Sequence, residues 1–69
     1  MFPEDIRYYG PDKAQVDFIT TTAPAEFPTT TDGIAGMRQG VALAPGSTVY
    51  VTSGPALYML GTNGDWREQ

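Results

Sequence analysis

The stretch from residue 47 to residue 66, STVYVTSGPALYMLGTNGDW, most constrains the fold because it contains two chain-reversal signals between short β-type segments. Residues 48–52 alternate, with Val49 and Val51 on one side and threonine and tyrosine on the other, which is the period of a strand. Gly54-Pro55 fits a type II′ turn, and Asn63-Gly64 is the dipeptide that most favours a type I′ turn. We therefore predict two consecutive β-hairpins.

Two-residue loops at both turns would also fix the register of these hairpins. The expected cross-strand pairs are Tyr50 with Met59, Val51 with Tyr58, and Gly61 with Trp66. In the last pair the glycine would leave room for the indole to lie across the strand and shelter its backbone.

The first part of the chain predicts strands and no helix. Pro3 and Gly10-Pro11 bracket a short strand at residues 5–9, and residues 14–22 carry the β-branched and aromatic side chains typical of a second strand. Val16 and Phe18 share one face of that second strand. We expect it to lie at an edge of the sheet and to be half covered by a neighbour.

Residues 20–31, TTTAPAEFPTTT, predict an extended arm, because proline and β-branched threonine both favour extended backbone. A plain surface loop is the simplest interpretation. The functional interpretation is an arm that lies on another subunit, with Phe27 as its apolar anchor, since burying a phenylalanine gains about 1.5–3 kcal/mol. O-glycosylation of the threonines is a third alternative.

Residues 32–46 contain too many glycines for a stable helix, since each costs about 1 kcal/mol relative to alanine. We expect a turn at Asp32-Gly33, at most one helical turn within residues 34–39, and a short strand at residues 40–43. A phosphate-binding loop is a weaker alternative, because no Lys-Ser/Thr pair follows the glycines.

These segments together predict one small all-β domain over residues 1–69, an antiparallel meander with an extended N-terminal arm. Strands and the Thr/Pro-rich arm occupy residues 1–31. The Gly-rich bend and the C-terminal meander occupy residues 32–69.

Composition argues against several kinds of partner. Eight acidic and four scattered basic residues give a net charge of −4, which disfavours binding to nucleic acid. No apolar run approaches the roughly 20 residues that span a bilayer, and no secretion signal opens the sequence, so we expect no membrane partner.

The chain also lacks the usual means of stabilising a small fold. It has no cysteine and no Cys/His set for a structural metal, while a domain of this size buries only about 60% of its unfolded surface. We therefore expect a homo-oligomer, with a trimer favoured, that completes its core between chains.

No catalytic, cofactor-binding or metal-ligating residues emerge from the sequence. The usual catalytic base is missing because there is no histidine, and the acidic neighbours Glu4-Asp5 and Asp12/Asp17 are typical of a solvated surface. The acidic turns lack the alternating series of a calcium loop. We therefore expect a non-enzymatic protein.

The aromatic residues are the best candidates for an interface. We predict that Phe27, Tyr50, Tyr58 and Trp66 contact neighbouring subunits. The alternative is a small carbohydrate-binding module in which Tyr8, Tyr9 and the tyrosines and tryptophan of the C-terminal strands form a stacking platform.

Residues 27–66 resemble a small module found in structural genes of tailed bacteriophages. The features that carry the resemblance are Pro45-Gly46-Ser47-Thr48, the Tyr50-Val51 strand, Tyr58-Met59-Leu60, and the closing Asn63-Gly64-Asp65-Trp66. In those genes the pattern recurs at the ends of small head or tail proteins and of head fibres.

The resemblance implies a virion structural protein that is made in the host cytoplasm and functions by assembling. A capsid decoration or cement protein on the capsid surface, with the major capsid protein as partner, is the role we expect. A tail or fibre component is the alternative within the same class.

Overall fold

The computed structural model describes all 69 residues and confirms an all-β domain without any helix. The structure therefore contains no helix that is long and hydrophobic enough to span a membrane. Six strands form one sheet: β1 (Phe2–Tyr9), β2 (Lys13–Thr20), β3 (Ala42–Leu43), β4 (Thr48–Val51), β5 (Ala56–Leu60) and β6 (Trp66–Glu68).

The sheet is mixed and not purely antiparallel. Its strand order is β1-β2-β4-β5-β6, and the short β3 lies beside the beginning of β2. Pairs β1/β2, β4/β5 and β5/β6 are antiparallel, whereas β3 and β4 both run parallel to β2. A parallel pair requires a crossover connection, and here residues 21–41, which we call the crossover, provide it.

Strand β2 is an interior strand of the sheet, so the prediction that residues 14–22 form an edge strand is wrong. Its inward side chains, Ala14, Val16 and Phe18, are almost completely buried, as the alternation in the sequence indicated. The edge prediction failed because β3 and β4 reach β2 from about 30 residues away, and local sequence carries no sign of that pairing.

The crossover folds over its own sheet, so the predicted arm is not extended away from the domain. Thr31 is fully buried, Thr30 forms an isolated bridge with Ala42, and Met37 and Val41 enter the core. The helical turn allowed for residues 34–39 does not form. The crossover therefore covers one face of the sheet, which we call the covered face.

One apolar core lies between the covered face and the crossover. The buried side chains that form it are Ala14, Val16, Phe18, Met37, Val41, Leu43, Val49, Val51 and Leu60. The opposite side of the sheet, which we call the open face, has no second layer on it.

Ser47 connects the two parallel segments to β2. The chain bends between β3 and β4, and at this bend the Val16 amide donates to the fully buried Ser47 Oγ at 3.1 Å. The same hydroxyl donates to the Ala44 carbonyl at 2.8 Å. Ser47 Oγ thus takes the place of the backbone carbonyl that an uninterrupted strand would have offered to Val16.

The first hairpin of the C-terminal meander forms, but with a longer loop than predicted. Val51 pairs with Ala56 and Tyr50 with Leu57, so the loop comprises residues 52–55 and the predicted Tyr50–Met59 and Val51–Tyr58 pairs are wrong. The Thr52 and Ser53 amides donate to the carbonyls of Thr20 and Thr21, which extends the parallel pairing to β2 and delays the reversal.

The second hairpin is shifted by one residue. Trp66 pairs with Leu60 and not with Gly61, which leaves a five-residue loop at 61–65. A type I′ turn needs a positive φ at both central residues, but only Gly64 has one, at 86°. Asn63 instead accepts a hydrogen bond from the Asp65 amide through its side chain. The shift turns Trp66 onto the covered face.

Replacing Ser47 should test how much the bend at β3/β4 depends on one hydroxyl. Ser47→Ala leaves the buried Val16 amide without a partner, so we expect unfolding to become easier by about 1–3 kcal/mol, measured by urea denaturation. Ser53→Ala, at an exposed loop position, is the control and should change stability little. Equal stability of both variants would contradict this role of Ser47.

Candidate functional site

The strand register places an apolar row across the open face. Residues directly opposite one another in neighbouring strands project to the same side of a sheet. Phe2 pairs with Ile19, Ile19 with Tyr50, and Tyr50 with Leu57. Phe2, Ile19, Tyr50 and Leu57, which we call the apolar row, therefore lie side by side on four consecutive strands.

The apolar row is accessible to solvent for much of its surface. Phe2 is 63% exposed, Tyr50 42% and Leu57 38%, while Ile19 is half-buried between its neighbours. The solvent side of a one-layer sheet is normally polar, so a continuous apolar row there indicates a contact surface.

A second row on the open face carries charge at both ends. Asp5 pairs with Asp17, Asp17 with Thr48, Thr48 with Met59, and Met59 with Arg67. We call these five residues the charged row. At one end of the row, on β1 and β2, lie the carboxylates of Asp5 and Asp17. At the other end, on β6, lies the guanidinium of Arg67.

The carboxylates of the charged row are only partly neutralised within the chain. Thr48 Oγ1 donates to Asp17 Oδ1 at 2.8 Å. Arg7 Nε lies 3.9 Å from Asp5 Oδ2, and both side chains are about two-thirds exposed, so this ion pair is weak.

Three of the four predicted interface aromatics come together, but on the covered face. The Phe27 ring lies 4.7 Å from the Tyr58 ring and 5.5 Å from the Trp66 ring, measured between centroids. The Trp66 indole donates to the Pro28 carbonyl at 2.7 Å. These contacts hold the crossover against β5 and β6 within one chain. Tyr50, the fourth candidate, lies on the open face.

The other aromatic residues offer no shared stacking platform. The Arg38 guanidinium lies 3.9 Å above the Tyr8 ring, and the Tyr8 hydroxyl accepts from the Arg38 amide. Trp66 has Phe27 against its ring. Tyr9 and Tyr50 are exposed on the open face but lie in different rows.

The open face is not among the predictions made from the sequence, although the sequence contains a signal for it. In β5, Leu57 and Met59 alternate with Tyr58 and Leu60, so both sides of the strand are apolar. Ile19 in β2 likewise points away from Val16 and Phe18. Apolar residues on both sides of adjacent strands indicate that both faces make contacts.

The surface has no pocket, and no three carboxylates are placed to hold a metal ion. Glu4, Asp5, Asp12 and Asp17 are all exposed.

No protein-family model, no curated protein and no solved structure matches this chain.

Phe27→Ala should destabilise the isolated chain. It removes the side chain that joins the crossover to Tyr58 and Trp66, so we expect a loss of about 2 kcal/mol in unfolding free energy. The single tryptophan should show red-shifted emission, because its ring becomes more exposed. Denaturation followed by Trp66 fluorescence measures both effects.

Phe2→Ala provides the matched control, since Phe2 is the most exposed large apolar side chain on the open face. At micromolar concentration it should change stability by no more than about 0.5 kcal/mol. If Phe27→Ala were as stable as Phe2→Ala, the aromatic contact would not hold the crossover in place.

Proposed function

We propose that this protein is a non-enzymatic structural protein of a tailed-phage particle, of the capsid decoration or cement type. It acts by burying the open face against a protein surface when the particle assembles. The observation that carries the proposal is the apolar row, which the chain itself leaves uncovered.

The physical support for this proposal is the free energy gained when another protein surface covers the apolar row. Burial of apolar surface gains roughly 25 cal/mol per Å², and three members of the row are more than one-third exposed. Covering Phe2, Tyr50 and Leu57 therefore supplies several kcal/mol toward association. In a shell, the same contacts raise the free energy needed to separate subunits.

The assignment to a phage particle rests on the resemblance of residues 27–66, and several of those residues serve the fold. Ser47 fixes the bend before β4, and Tyr58 and Trp66 hold the crossover. Tyr50 and Met59 instead lie on the open face. The motif thus combines a stable support with an exposed contact surface, as a decoration protein requires.

Purified phage particles that contain this gene provide the test. Quantitative mass spectrometry across a density gradient should find this chain in a fixed ratio to the major shell protein. After particles are broken into heads and tails, the chain should remain with the heads.

Leu57→Glu should reduce the occupancy on particles at least tenfold, because it places a charge within the apolar row. Thr62→Glu adds the same charge in an exposed loop off that row and is the control. Absence of the chain from particles would overturn the virion role. Equal occupancy of the two variants would overturn the role of the open face.

A further inference from the structure

We infer that the partner of the open face is a second copy of this chain, related by a two-fold axis that runs along β4. This inference rests on the proposed function in one respect, namely that the open face is an assembly surface. The inference specifies the surface that covers the open face and the register in which the two surfaces meet.

The geometry follows from the strand order. Consider two sheets stacked open face to open face, with a two-fold axis between them and parallel to the strands. The axis sets β4 over β4, β2 over β5 and β1 over β6, and it keeps each row opposite itself. Two twisted sheets pack in this nearly aligned way, about 30° apart and about 10 Å between layers.

In this arrangement the apolar row is complementary to itself. Tyr50 meets the Tyr50 of the second copy on the axis, and Ile19 meets Leu57 on both sides of it. Phe2 meets Gln69, whose amide continues the β5/β6 ladder by donating to the Leu57 carbonyl. Every apolar side chain at the centre of the row thus gains an apolar or aromatic neighbour.

The charges on the open face are complementary under the same rotation. The axis brings Asp5 opposite Arg67 of the second copy at both ends of the charged row. It also brings Arg7 opposite Asp65, which lies two residues before Arg67 and whose carbonyl accepts from the Gly61 amide. These four opposite-charge pairs therefore lie along one side of the apolar row.

The second copy also relieves a like-charge repulsion within the single chain. Asp5 and Asp17 lie directly opposite each other in β1 and β2, and like charges in that position destabilise a sheet. Arg67 of the second copy would supply a further cation beside this pair, in addition to the weakly paired Arg7.

The size of the face fits a small but specific interface. Five strands about 4.8 Å apart make the face about 20 Å wide, and strands of three to eight residues make it about 10 to 25 Å long. Two copies would bury on the order of 1,000 Å², the lower end of specific interfaces. Because a two-fold contact closes with two copies, the geometry favours a dimer over the trimer favoured by the sequence.

Sedimentation velocity over protein concentrations from about 1 µM to 1 mM measures the pairing. We expect a monomer–dimer equilibrium in the micromolar range for the wild type. Tyr50→Lys places two ammonium groups together on the axis and should weaken the dimer more than tenfold. Thr22→Lys, which adds the same charge on the exposed crossover, should leave the equilibrium unchanged.

A charge exchange tests the register. Asp5→Arg sets arginine against Arg67, and Arg67→Asp sets aspartate against Asp5, so each single variant should weaken the dimer about three- to tenfold. The double variant restores opposite charges and should return to within about twofold of the wild type. Asp5→Arg also removes the like-charge pair with Asp17, so poor folding does not account for a weakened dimer.

The outcomes separate this inference from the proposed function. A wild type that stays monomeric to 1 mM, or a double variant as weak as the singles, would overturn the two-fold pairing. Occupancy on particles that depends on Leu57 in a monomeric protein would still support the proposed function. A dimer with the expected variant pattern, in a chain absent from particles, would support the pairing and overturn the virion role.

Discussion

The structure depends on one constraint, which is that a single sheet has two faces and the chain has only one segment with which to cover them. The crossover places Phe27, Thr31 and Val41 over the covered face, and the apolar core forms there. No other segment of these 69 residues lies on the open face. The exposure of the apolar row is therefore a direct consequence of how 69 residues are distributed between the sheet and its one covering layer.

The parallel pairing of β3 and β4 with β2 explains why so few residues suffice for one buried face. It places β2 between β1 on one side and β3 and β4 on the other, so its inward side chains are sheltered on all sides. The interruption between β3 and β4 exposes the Val16 amide to the interior, where an unsatisfied donor is costly. The Ser47 hydroxyl removes that cost and fixes the bend.

The sequence predicted local features well and non-local features poorly. Alternation and turn residues indicated the strands of the C-terminal meander and the inward side of β2, because those signals lie within a few residues of one another. The central position of β2 depends on a pairing about 30 residues distant. The loop lengths depend on Asn63 keeping a negative φ and on Thr52 pairing with Thr20, neither of which composition reveals.

The same distinction applies to the candidate site. The aromatic residues were predicted to contact neighbouring subunits, but register decides which face each one occupies, and it separates Tyr50 from Phe27, Tyr58 and Trp66, whose rings contact one another within the chain. Paired as proposed, two copies bury the apolar row of one open face against that of the other, so the protein surface that covers the open face in a particle is a second copy of the chain.

An isotope-filtered NMR experiment on a mixture of labelled and unlabelled chains can detect the two-fold pairing of the open faces. Within one chain, Ile19 and Leu57 are separated by β4, so they lie about 10 Å apart across the sheet. The two-fold pairing predicts strong intermolecular contacts between the methyl groups of Ile19 and Leu57, with Tyr50 contacting its own counterpart. Intermolecular contacts that avoid the open face, at concentrations where the protein is associated, would contradict it.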